Sequence, residues 1–141
     1  MKITSTFSNE ENIPKEYTCD GQDKIPPLEI SGAPAGAKSL ALVMDDPDAP
    51  NGTWDHWILW NIPPNTKLID RQMGVAGRNS WGRTNYGGPC PPSGTHRYFF
   101  KLYAIDIMLD LPAGSNKTAL EKAMKGHVLA EAVLMGKFSR H

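Results

Sequence analysis

Apolar residues fall along this chain in short runs separated by proline and glycine, a spacing that suits strands better than helices. Lys2 to Phe7 alternates loosely and predicts an edge strand. Residues 8–27 are polar and turn-rich, ending in Pro26-Pro27, after which Leu28 to Ser31 predicts a short strand. Ala33 to Ala37, with Pro34 and Gly36, predicts a turn. Ser39 to Met44 is an unbroken run of strand length, the pattern of a strand buried on both faces. The prolines of Asp45-Asp46-Pro47-Asp48-Ala49-Pro50 are expected to end that strand at Met44, and Asn51-Gly52 is the strongest turn signal in the chain. His56 to Ile62 is aromatic and β-branched, a second core strand stopped by Pro63-Pro64.

Residues 65–95 show no regular period and are expected to be irregular, a length of loop that often carries function. His96 to Ile105 then predicts a long central strand. Thr118-Ala119-Leu120-Glu121 has the form of a capping box, and Leu120, Met124 and His127-Val128 recur at helical spacing. Gly126 weakens that helix and Gly136 breaks it, with Val133 to Ser139 a candidate last strand. No strand–helix–strand series occurs. The expected class is therefore mostly β, an antiparallel β-sandwich with a Greek-key core and one or two short helices near the C-terminus.

Composition narrows the picture. The 141 residues fit one domain, 1–141, and 13 Gly with 12 Pro favour turns over long helices. The 15 Lys and Arg balance 15 Asp and Glu, and no basic run exceeds two residues, which argues against nucleic acid or an anionic membrane surface as partner. The start Met1-Lys2-Ile3-Thr4 has no signal-peptide character, and the apolar run Leu40–Met44 is too short to span a bilayer. A cytoplasmic protein without membrane insertion is expected. Cys19 and Cys90 lack C-x-x-C spacing and read as two free thiols, with a disulfide as the alternative.

Candidate chemistry gathers where loops meet core strands. Asp46 and Asp48 follow the first, His56 opens the second, and His96 opens the third. Taken singly each has a plain structural reading: Asp-Pro-Asp caps turn amides, and a histidine beside aromatics is commonly a hydrogen-bonded core residue. Together, if the strands are neighbours, they bring a carboxylate and two imidazoles to one rim. That set suits a small anion such as phosphate or carboxylate.

The string Asp45-Asp46-Pro47-Asp48-Ala49-Pro50, then Trp54-Asp55-His56-Trp57, then Gly88-Pro89-Cys90-Pro91-Pro92-Ser93-Gly94-Thr95-His96-Arg97-Tyr98, resembles the signature blocks of the phosphatidylethanolamine-binding protein family, in the wording of its prokaryotic Raf-kinase-inhibitor-like branch. Tyr17-Thr18-Cys19-Asp20-Gly21 and Gly126-His127-Val128-Leu129 resemble further landmarks of that branch. The resemblance implies a β-sandwich with a small rigid pocket for phosphate, acetate or phosphorylethanolamine head groups. Matched position by position, it implies ligand contacts from Asp46, Pro50, His56, Pro92, His96 and Tyr98, support from Asp48, Trp54 and Arg97, and a cis Ala49–Pro50 bond. An Arg97–Asp48 pair is expected to hold the rim.

The expected function is non-enzymatic binding of small anions, with no cofactor and no metal, and with a protein partner or a homodimer as further expectations. The alternative is an inhibitor of a protease or kinase. A hydrolase ranks below both, since no G-x-S-x-G, P-loop or H-E-x-x-H motif occurs. A zinc site from His56, His96 and Asp46 has suitable ligand types but no tight spacing.

Overall fold

The computed structural model describes residues 1–140 and carries eight strands and one α-helix. A small antiparallel sheet has the order β1 (Lys2–Thr4), β2 (Leu28–Ser31), β5 (Leu68–Ile69). A larger one runs β6 (Val75–Ala76), β4 (Trp54–Ile62), β3 (Ser39–Asp46), β7 (Thr95–Ile105), β8 (Val128–Ser139). Three strands of the larger sheet in chain order, β3, β4 and β6, are followed by β7, which returns to lie beside β3. This is the Greek-key order that the sequence predicts. All its pairings are antiparallel.

The larger sheet is covered on both faces. Leu40, Leu42 and Met44 of β3 point inward, with Tyr98, Phe100 and Leu102 of β7, against Leu28, Ile30 and Ile69 of the small sheet. Ala41 and Val43 point outward, where Leu120 and Met124 of helix α1 (Lys117–Met124) and Leu109 cover them. Two-sided cover explains why β3 is unbroken in apolarity where a one-sided strand would alternate. Asn61 fixes the outer layer: its amide nitrogen donates to the Leu109 carbonyl at 2.9 Å and its oxygen accepts from the Leu109 N–H at 2.8 Å.

Several boundaries differ from expectation. β3 continues through Asp45 and Asp46, because the first missing N–H lies beyond them at Pro47 and Asp46 still registers with Trp54. The irregular stretch 65–95 contributes two short strands, β5 and β6. The helix is capped by Asn116, not Thr118: its side chain accepts from the Ala119 N–H at 3.0 Å. The helix ends at Met124, since Gly126 turns the chain at φ +82°, and Val128 already belongs to β8.

Candidate functional site

Antiparallel pairing decides where the candidate residues go. β3 is flanked by β4 and β7, so its C-terminal end meets the N-terminal ends of both. Strand alternation then sorts the faces. Asp46 follows the inward set Leu40, Leu42 and Met44, and His96 precedes Tyr98 and Phe100, so both side chains point inward. Alternation alone would send His56 outward with Ile58 and Trp60. The register shifts there: Met44 pairs with Trp57, but Asp45 pairs with Asp55, leaving His56 as the extra residue of a β-bulge. The bulge turns His56 inward, next to Tyr98 at 5.3 Å between ring centroids, and sends Asp55 to the outer face.

The two imidazoles are anchored alike. His96 Nδ1 lies 2.6 Å from Asp46 Oδ2 and His56 Nδ1 lies 2.7 Å from the Gly87 carbonyl. Carboxylates and carbonyls only accept, so each Nδ1 carries the proton and donates it. Among the described residues each Nε2 is then left without a protein partner, and neither is sealed from solvent. The other oxygen of Asp46 accepts from the Asp48 N–H at 2.8 Å, which fixes the carboxylate. Burial lowers the pKa of His56, partly opposed by its bond to Gly87, so its ring favours the neutral form.

The cavity they share has a volume of about 370 Å³ and is also lined by Pro50, Pro92 and Trp54. Tyr98 does not line it. It is fully buried behind the two histidines, and its hydroxyl has no hydrogen-bond partner among the described residues. Burial, reinforced by the Asp46 charge, raises its pKa and keeps the phenol protonated. Asp48 and Arg97 form the expected rim pair, bidentate at 2.9 and 2.8 Å, and it is solvated, with half of the Arg97 side chain exposed.

Other walls come from segments that the sequence does not single out by chemistry. The far wall is formed by Cys19 and Asp23, which follow a 3₁₀ turn at Lys15–Tyr17. The Tyr86 hydroxyl donates to the Tyr17 carbonyl at 2.8 Å, and the Gly88 N–H donates to Asp23 Oδ1 at 2.9 Å. A Cβ on Gly88 would collide with the Tyr17 carbonyl and the Asp23 carboxylate, so only glycine fits. The mouth carries Trp81, edge-on to His56 at 4.9 Å and to Trp54 at 5.6 Å, with the Arg83 guanidinium 5.3 Å over the Trp81 ring. Asn79 shapes this loop: its side-chain oxygen accepts from the N–H groups of Trp81 and Arg83, and its amide donates to the His56 and Asn85 carbonyls. The length and irregularity of 65–95 were the only signal for these residues.

Two expectations are corrected at this wall. Cys19 and Cys90 are not free thiols: they form a disulfide with 5.4 Å between Cα atoms, joining the far wall to the proline turn. Fold geometry outweighs the compartment argument, since residues 71 apart in sequence meet across the cavity. The Ala49–Pro50 bond is trans, as no cis bond occurs among the described residues. The turn closes instead through the Gly52 N–H, which donates to the Ala49 carbonyl at 3.2 Å, with Gly52 at φ +109°. Among the described residues no cluster of three His, Cys, Asp or Glu is arranged to hold a metal ion. Both Asp46 oxygens are engaged in holding His96 and the turn. No helix is long and apolar enough to cross a membrane among those residues.

The family model described as phosphatidylethanolamine-binding protein matches residues 3–139. A UPF0098 protein of Methanothermobacter thermautotrophicus is 49% identical and the match covers 97% of each chain. The solved structure of a putative phosphatidylethanolamine-binding protein homologue from Chlamydia trachomatis superposes with a TM-score of 0.96 at 41% identity, covering 99% of this chain and 97% of that one. The crystal structure of YbcL from E. coli, described as a new member of the mammalian family, superposes with a TM-score of 0.89 at 28% identity, covering 99% and 98%.

Proposed function

The chain belongs to the phosphatidylethanolamine-binding protein family, and from that premise we propose that it is a non-enzymatic receptor for small anionic groups, phosphate or carboxylate, held between His56 and His96. The observation that carries this reading is the matched anchoring of the two rings. Both Nδ1 protons are spent on fixed acceptors, and both Nε2 atoms are left for a ligand in one cavity.

The pair suits an anion that still holds one proton. The neutral His56 ring accepts from the ligand's hydroxyl. His96, its ring held through Nδ1 by the Asp46 carboxylate, presents Nε2 to the same ligand. Arg83 at the mouth adds a positive charge on the approach path. A volume of about 370 Å³ accommodates a head group but not acyl chains. Both cysteines at the wall are tied in the disulfide, and among the described residues no serine or threonine lines the cavity, so no side-chain hydroxyl or thiol stands there beside the Asp46–His96 pair.

Calorimetric titration with inorganic phosphate tests the reading. One site per chain is expected, with heats that saturate along a single isotherm. His96→Ala should weaken binding by about tenfold or more, the effect of losing one charge-assisted hydrogen bond. Absence of binding by the wild-type chain at millimolar phosphate would exclude it.

A further inference from the structure

His56 faces the cavity only because β4 is bulged, and the charged side chains that the bulge brings opposite each other lie on the other face of the sheet. With the regular register of Met44 and Trp57 carried one step further, Asp45 would pair with His56 and Asp46 with Asp55. Paired residues share a face. That alternative would place Asp55 inward beside Asp46, two carboxylates in the anion site, and would turn His56 outward. The observed register instead places Asp45 and Asp55 opposite each other on the outer face.

Two carboxylates so paired repel, and Asp45 is almost wholly buried. Lys117, the first residue of α1, resolves this. Its Nζ lies 2.7 Å from Asp55 Oδ1 and 3.3 Å from Asp45 Oδ2, bridging the two strands. Lys101 Nζ adds a contact to Asp45 Oδ2 at 3.0 Å but makes no ion pair with Asp55. Lys117 is held in place by the helix, through the Asn116 cap and the burial of Leu120 and Met124. The backbone of the bulge has its own partners: the Asp55 N–H donates to Ser80 Oγ at 2.8 Å, and the His56 carbonyl accepts from Asn79.

We propose that Lys117 is a positioning residue for the site: from the far side of the sheet it selects the bulged register that aims His56 into the cavity. This rests on the reading of His56 as an anion ligand. Lys117 touches no ligand, yet its charge decides which face carries the imidazole and which carries the Asp55 carboxylate. The helix is thereby part of the site.

The test follows the His56 ring directly, by two-dimensional ¹H–¹⁵N spectra of the imidazoles, alongside phosphate titration. In Lys117→Met the His56 Nδ1–H signal bonded to Gly87 should be lost or broadened, and the phosphate dissociation constant should rise about tenfold. Lys117→Arg should restore both. If Lys117→Met does not fold, Lys117→Gln, which keeps a polar side chain but removes the charge that bridges the two carboxylates, should shift the same His56 signal. An unchanged His56 signal in whichever variant folds, with only a lowered melting temperature, would overturn the proposal and leave Lys117 a structural residue. Failure of the wild-type chain to bind phosphate would instead strike the anion reading, and the His56 signal would still decide the role of Lys117.

Discussion

At the scale of single residues, the rim pair shows how a solvated contact can matter to stability without touching ligand. Arg97 donates two side-chain bonds and its backbone N–H to Asp48. These bonds hold the Asp48 carboxyl down to about 2. A carboxyl depressed in the folded state stabilises it above the unfolded pKa of about 3.9, and that contribution is lost as pH falls through the folded value. Arg97→Met should therefore melt below wild type at neutral pH, and the two melting curves should draw together as pH is lowered to about 2. Its phosphate affinity should change far less than that of His96→Ala. A constant gap in melting temperature from pH 7 to pH 2 would contradict this account. Asp46 and His96 were legible at this scale, because loop-to-strand junctions and simple alternation place them correctly. Tyr98, expected as a ligand contact, lies buried behind the two histidines and does not line the cavity. Asn79, Trp81 and Arg83 were not legible, since a loop held by one buried amide has no period to read.

At the scale of elements, strand identity was plain in the sequence while register was not. The run Ser39–Met44 and the aromatic strand around Trp57 announce themselves by apolarity. A one-residue bulge leaves no mark in composition, yet it turns His56 from one face to the other. The disulfide was equally hidden, because two cysteines alone carry no information about which loops meet. It ties the 3₁₀ turn and its following loop to the proline turn that precedes β7. Closing a loop of this length is worth about 4 kcal/mol in the chain-entropy picture. Cys19→Ser should cost about 2–4 kcal/mol in denaturant titration. Reduced wild-type protein should fall to a similar stability. No loss of stability in either would show that the hydrogen bonds of Tyr86 and Gly88 suffice to hold that wall.

At the scale of the molecule, the larger sheet works as a partition. Its inner face carries the core and, at one edge, the cavity. Its outer face carries α1 and the lysine bridge that governs the cavity's geometry. The whole-chain class was readable because strand runs, turns and the signature blocks agree. The disulfide sets a condition on where this arrangement persists, since reducing compartments keep most thiols unpaired. The central claim is that the free Nε2 atoms of two anchored rings receive one anion. It is tested most directly by recording the long-range ¹H–¹⁵N imidazole spectrum of the wild-type chain while inorganic phosphate is added. The Nε2 resonances of His56 and His96 should move together along one saturating isotherm, with the His127 ring, bonded to Asp106 away from the cavity, unmoved. Nε2 resonances of His56 and His96 that stay fixed, or that move no more than those of His127, would contradict it.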